Sequence, residues 1–319
     1  MAHGIPVQVL RGGRFKGAYF VASDLPADPI ERDLLLPRLI GRPFPLADRV
    51  AVVDRCAGSS ADVDVRFLAC DGAAVTESRP CGDILAGAGP FAIERGLVAA
   101  GDGVTAVRVR VPATGTHATV HVPTPGGRPA YAGATAVSGV PGTASRLLVE
   151  FGDAAVLPTG RPADDLGGVP VTLIDNGVPV ALVEAAALGV TGHETPARLE
   201  YDEGLRHRVG RLRLLAGELI GAVPTMCLLA PPAGGGSLAT RTFLPQRVQP
   251  AIGFRAAVGV GAAATVPGSV AARLLRVADR AVVPRDVMRL EHPTGFLDVV
   301  PGSSAVTTAR LLLEGRLFG

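Results

Sequence analysis

Tryptophan is absent from this 319-residue chain, aromatic residues make up only 4% of it, and lysine occurs once, as Lys16, among 31 basic residues. With so few aromatics the core has to be built from Val, Leu, Ala and Ile. The net charge of +2 comes without a basic block or interleaved aromatics, which excludes a nucleic-acid surface of the usual kind. The first ten residues lack a charged segment followed by an apolar run, so they do not read as a signal peptide. The longest apolar run, 256–272, is mostly Ala and Gly and is broken by Pro267. It is too short and too weak to span a bilayer. The four cysteines, Cys56, Cys70, Cys81 and Cys227, have neither metal-ligand spacing nor the density of a small secreted domain. No metal is expected, and a reducing cytoplasm is.

What the chain does have is a core-forming composition, 48% hydrophobic, with 41 Gly and 27 Pro to make turns. Its length predicts about two domains. The most informative stretch runs from Arg79-Pro80-Cys81-Gly82-Asp83 into the apolar, small-residue segment 84–98. A cysteine at a helix N-terminus sees free N–H groups and the positive end of the dipole, both of which favour thiolate. Gly82 leaves room for a ligand carboxylate to approach the backbone. The same pattern also suits a buried structural cysteine beside a tight turn. Lys16 carries a similar choice: a position where arginine will not serve, because lysine can lose its proton, or a surface remnant.

In chain order, strands are expected at 7–10 and 18–22 around a glycine-rich turn at 11–17. A helix follows at 28–40, shortened or kinked by Pro37. Strands come next at 50–53 and 61–69, then the Cys81 helix, then strands at 104–111, 118–122 and 145–151. The pattern then restarts. A hairpin at 171–174 and 180–183 surrounds the turn Asp175-Asn176-Gly177-Val178-Pro179. A long helix at 197–220 precedes strands at 225–229 and 238–244. A second small-residue helix covers 251–265, strands follow at 288–290 and 295–300, and a closing helix is expected at 304–314. One α+β unit used twice is therefore expected, each with strands wrapped on a small-residue helix, and a ligand cleft between them at the starts of both central helices.

The ordered motifs resemble the PrpF family, relatives of diaminopimelate epimerase that include 2-methylaconitate isomerase and 4-oxalomesaconate tautomerase. Arg11-Gly12-Gly13 with Lys16-Gly17 resembles the family's Arg-Gly-Gly-Thr-Ser-Lys-Gly. Cys81-Gly82-Asp83 with Gly89-Pro90-Phe91-Ala92 resembles its Cys-Gly-Asn helix. Asp175-Asn176-Gly177 resembles its second hairpin turn, and Ala230-Pro231-Pro232 and His292-Pro293-Thr294-Gly295 match later signatures. The resemblance implies a diaminopimelate epimerase-like α+β fold of two pseudo-symmetric halves, 1–165 and 166–319, with the closing helix packing back on the first. It also implies a proton shift on an unsaturated carboxylate without a cofactor. Cys81 is then the base and Lys16 its catalytic partner. Arg14, Gly82, Asp83, Arg49, Asn176, Gly177 and His292 are the expected substrate contacts.

Departures from the family pattern sharpen the expectation. Arg49 stands where the family has a lysine proposed for catalysis, and most of its Gly/Ser/Thr-rich stretch is missing. Arg14-Phe15 replaces Thr-Ser, and Gln249-Pro250-Ala251 lacks the second cysteine of the epimerases. A substrate less anionic than a tricarboxylate is expected. The alternative is a repurposed member, a cyclase or binding protein that works through cavity shape. His117, His121, Asp62 and Asp64 read as surface or structural strand residues, Cys56, Cys70 and Cys227 as packing residues, and the Arg-rich segment 206–213 as an exposed face. The expected partner is a small-molecule substrate, not nucleic acid or membrane, and a homodimer is left open.

Overall fold

The computed structural model describes residues 4–40, 47, 49–58, 60–71, 74–78, 82–152, 155–245, 247–277 and 287–318. They form two units, Met1–Gly152 with Thr307–Gly319, and Asp153–Val306. The chain divides after residue 152 rather than after 165. Residues 155–165 lie along the second unit's first hairpin, where Val156 bridges Asp175 and Asp164 pairs with Val171.

In the first unit β1 (Ile5–Gly12) and β2 (Phe15–Val21) form a hairpin, and α1 (Pro29–Ile40) leads to β3 (Arg49–Arg55). Then come β4 (Val63–Asp71), β5 (Ala74–Glu77), α2 (Gly82–Glu94), β6 (Gly103–Val111), β7 (Thr116–Thr124) and β8 (Arg146–Phe151). Helix α1 continues through Pro37 to Ile40. A proline in the last turn removes only one N–H, and Leu36, Leu39 and Ile40 are buried against Ala18, Phe20, Val50 and Val52, which holds that turn in place.

Helix α2 is buried from Asp83 to Ile93 and packs on β1, β2, β3, β6, β7 and β8. Its small residues make this approach feasible. A Cβ on Gly87 would lie 2.2 Å from the Tyr19 hydroxyl, and one on Gly89 would lie 2.8 Å from Val120 and Val122.

The second unit holds β9 (Asp164–Asp165), β10 (Pro170–Asp175), β11 (Pro179–Glu184), α3 (Pro196–Tyr201), α4 (Glu203–Ile220), β12 (Thr225–Ala230) and β13 (Leu238–Leu244). It continues with β14 (Arg247–Val248), α5 (Phe254–Ala264), α6 (Val270–Val277), β15 (Met288–His292) and β16 (Gly295–Val300). Its pairings repeat those of the first unit. The antiparallel hairpin β10–β11 matches β1–β2, and parallel β11–β12 matches β2–β3. Antiparallel β12–β13, parallel β13–β15 and antiparallel β15–β16 match β3–β4, β4–β6 and β6–β7. Helix α5 is buried almost throughout and packs on β10, β11 and β16, as α2 does on its own strands.

Two helices differ from expectation. The segment 197–220 is two helices because Asp202 accepts a hydrogen bond from the Leu205 N–H and caps α4, while Thr195 caps α3 with Pro196 at its start. The expected closing helix at 304–314 is instead the strand β17 (Ser304–Leu317), whose residues 309–317 pair antiparallel with β1. Leu311-Leu312-Leu313 suits a helix locally. An unpaired edge on β1 is the stronger demand, and the β-branched run Val306-Thr307-Thr308 suits the ladder. Strand β5 and helix α6 were not anticipated. No helix among the described residues is long and apolar enough to cross a membrane.

Candidate active site

The hairpin β1–β2 closes in a two-residue turn, Gly13-Arg14, because Gly12 pairs with Phe15. Gly13 has φ +50°, and its N–H donates to the Thr308 carbonyl at 2.8 Å. This tip lies directly on the first turn of α2. A Cβ on Gly12 would come 1.8 Å from the Asp83 carbonyl oxygen, and one on Gly13 would come 1.8 Å from Asp83 Oδ1. The two glycines are therefore required by close approach.

The Asp83 carboxylate is buried and accepts from the Arg14 backbone N–H and from Arg14 Nη2, both at 3.4 Å. Burial pushes the Asp83 carboxyl above the usual carboxylate range, and the Arg14 charge and hydrogen bonds pull only part of the way back. The Tyr19 hydroxyl donates to the Ile84 carbonyl at 2.6 Å, which fixes α2 against β2. Thr307 Oγ1 is also buried near this tip, 3.1 Å from where a Gly13 Cβ would lie, and has no hydrogen-bond partner among the described residues.

Asp83→Asn supplies a test with a definite sign. The unfolded chain ionises Asp83 near the ordinary value of about 4. The folded chain ionises it higher, so its contribution to stability is full below that value and is lost as pH rises through the folded one. Asp83→Asn should therefore gain in melting temperature relative to wild type on going from pH 4 to pH 8. Arg14→Ala should lose stability at pH 8 by roughly 1–3 kcal/mol, since it keeps the backbone N–H but takes the guanidinium donor and its charge from a buried carboxylate. A gap between Asp83→Asn and wild type that moves the other way with pH would contradict this reading.

Arg14, Gly82 and Asp83 thus come together at the start of α2. Cys81, with Arg79 and Pro80, lies outside the described residues. Lys16 sits elsewhere than its place in a turn suggested, because β2 begins at Phe15. Alternation puts Gly17 and Tyr19 on the α2 face of β2, and Lys16 with Ala18 and Phe20 on the face covered by α1. Arg49 pairs with Gly17 across β2–β3 and so shares the α2 face.

In the second unit Asn176, Gly177 and His292 lie around the start of α5. Asn176 Nδ2 donates to the Arg255 carbonyl at 2.8 Å, and Arg255 Nη1 donates back to the Asn176 carbonyl at 2.6 Å. Asn176 is 1% exposed, and its Oδ1 has no partner among the described residues. Buried His292 is 3.3 Å from the Thr294 hydroxyl, which itself donates to the Pro250 carbonyl just ahead of α5.

The other candidates are structural. Asp62 and Asp64 bridge to Arg108 and Arg110, and His121 pairs with Glu150. Burial pushes the Cys227 thiol up to about 12 and also raises Cys70, so neither offers a thiolate near neutral pH. Among the described residues no three His, Cys, Asp or Glu side chains gather to hold a metal. Tyr19, Arg255 and Thr307 were missed by sequence reasoning. A tyrosine on a strand otherwise made of small and apolar residues was the signal available for the first.

The chain has the architecture of an isomerase of known structure, methylitaconate-delta-isomerase. The TM-score is 0.85 at 28% identity, covering 98% of this chain and 95% of that one. It matches the family model described as PrpF protein over residues 2–317 and belongs to that family. It is 40% identical to the (4E)-oxalomesaconate Delta-isomerase of Novosphingobium sp. strain KA1, across 98% of this chain and 97% of the relative. It is 41% identical to the 4-oxalomesaconate tautomerase of Pseudomonas putida KT2440, across 98% and 95%. The first alignment is 348 positions long against a chain of 319, so at least 29 positions have no residue here. The relatives are isomerases and tautomerases of unsaturated carboxylic acids, and the protein is an isomerase.

Proposed function

We propose that the protein moves a proton along an unsaturated carboxylate without a cofactor, and that Cys81 is the base. The observation that carries this is the start of α2. Cys81 immediately precedes its first residue, and the Gly12–Arg14 tip, Asp83 and Tyr19 hold that first turn rigidly. The proton next to a carboxyl or keto group leaves to the thiolate, the negative charge spreads onto the carbonyl oxygen, and the proton returns at the allylic carbon. Backbone N–H groups at a helix start are suited to hold the developing enolate oxygen. Arg49, on the α2 face, supplies a carboxylate clamp in place of a lysine.

The relatives' names make oxalomesaconate the first compound to try. The Arg14–Asp83 pair argues for a substrate with fewer carboxylates, because Asp83 neutralises Arg14 and adds a carboxylate at the helix start. The test is turnover in D₂O of oxalomesaconate and of unsaturated mono- and dicarboxylates, followed by proton NMR. Deuterium should enter carbon, with a mono- or dicarboxylate the better substrate. Ordinary enzyme rates on oxalomesaconate would remove the claim of lower charge and leave the proton shift standing. Conversion with no deuterium at carbon would overturn the proton shift itself.

A further inference from the structure

The face of β1 turned away from α2 carries a row of cations. Arg11 stands directly opposite Arg310 of β17 on one side and directly opposite Lys16 of β2 on the other. Side chains in such pairs share a face with Cβ atoms about 4.5–5.5 Å apart, and like charges placed so are destabilising. Elsewhere such positions are mostly matched or relieved by a counter-charge: Asp54 stands opposite Asp64 across β3–β4, and Asp64 bridges to Arg110. Arg110 is paired with Asp64 across β4–β6, and Arg289 with Asp298 across β15–β16. No acidic residue occupies the Arg310–Arg11–Lys16 row. Among the described residues neither the Arg11 nor the Arg310 side chain makes a hydrogen bond or an ion pair.

The row is partly covered, with Arg11 half-buried and Arg310 exposed. Segment 135–144, closed by the Thr135–Ala144 bridge, lies over it, and Arg11, Arg310, Thr135, Thr143 and Thr308 line a small pocket. Thr308 is 5% exposed, and its hydroxyl has no hydrogen-bond partner among the described residues.

We propose that the solvent-facing mouth of this pocket is an anion site that takes one oxyanion group, a carboxylate or a phosphate, between the guanidinium groups of Arg11 and Arg310. Each guanidinium presents paired N–H donors that match two oxygens of such a group. The Thr308 hydroxyl supplies a further donor from the same wall. The anion replaces a repulsive cross-strand pair with two attractive contacts, which accounts for two unpaired arginines at one register position. Strand alternation separates this site from Asp83 and Tyr19, which lie on the opposite face of the hairpin. The site is therefore distinct from the start of α2, and its test does not depend on the isomerase reading.

The test uses the full chain, with thermal unfolding and isothermal titration of inorganic phosphate and, separately, malonate, each matched in ionic strength with sodium chloride. At least one of the two should raise the melting temperature above the chloride control. Its affinity should fall roughly tenfold in Arg310→Gln, the scale of a charge-assisted hydrogen bond. Arg11→Gln should do the same, while Arg206→Gln on α4 should bind as wild type does. The anion that binds more tightly identifies the source, free phosphate or a carboxylate metabolite. Arg310 lies near the end of the chain on a single rung, so its variant carries the test should Arg11→Gln fold poorly. Binding undiminished in Arg310→Gln, or no response to either anion beyond chloride, would overturn the proposal.

Discussion

Cys81→Ala is expected to lose roughly two to four orders of magnitude in turnover, the usual scale for removing a positioned general base. Three observations converge on this residue. Cys227 is fully buried and its thiol is pushed up to about 12, and burial raises Cys70 as well, so neither is a nucleophilic or basic thiolate. Cys81 alone precedes a helix whose first turn is clamped by another element. Relatives named as an isomerase and a tautomerase of oxalomesaconate fit the proton shift proposed above. Cys81→Ser should lose nearly as much as Cys81→Ala, because a hydroxyl pKa is far too high to substitute for a thiolate. Circular dichroism and the melting temperature of both variants establish that they are folded before their rates are compared. Wild-type turnover by Cys81→Ala, with deuterium still entering carbon, would move the base to another residue.

Gly87→Ala should be among the most destabilising single methyl additions in the chain, by about 1–3 kcal/mol or more. The added Cβ would lie 2.2 Å from the Tyr19 hydroxyl and 2.7 Å from its Cζ, with both residues fully buried. Tyr19 cannot move without breaking its 2.6 Å bond to the Ile84 carbonyl and its contact with Phe91, ring centroids 5.5 Å apart. The clash is with a hydroxyl, so Tyr19→Phe should recover part of the loss in the double variant although it is itself mildly destabilising. A melting temperature for Gly87→Ala within a degree of wild type would show that α2 is not seated on β2 as described. Loss of activity with stability intact would mean that the helix shifts and carries its first turn, and Cys81 with it, out of place.

Much of the chain order was legible because the physics is local. Glycine-flanked β-branched runs marked the two hairpins, and Ala/Gly-rich apolar stretches marked the two buried helices. The repeat of hairpin, helix, strands and central helix was visible without knowing a single contact. The ends of elements were less so. The tract 11–17 reads as a turn for its glycines. In the fold those glycines serve close approach instead, Gly12 and Gly13 to Asp83 and Gly17 to the Tyr19 ring. The strands therefore run on to a two-residue tip, and Lys16 acquires a face.

The sequence by itself determined which residues could do chemistry: one cysteine next to a helix start, one lysine, one Asp-Asn-Gly turn, and the order in which they occur. Only the tertiary structure decided what surrounds them. Arg14 and Asp83 are 69 residues apart, and nothing local predicts that a hairpin tip will press on a helix start so closely that a buried carboxylate needs its arginine. Nor do the two β-branched residues of Thr307-Thr308-Ala309-Arg310-Leu311 suffice to announce a strand that runs to Leu317. That segment is extended because β1 exposes an edge of N–H and C=O groups some 300 residues earlier, and satisfying them outweighs the modest local preference for helix. The same pairing sets Arg310 against Arg11. Local composition sets the side chains available, and long-range backbone pairing sets which of them face each other.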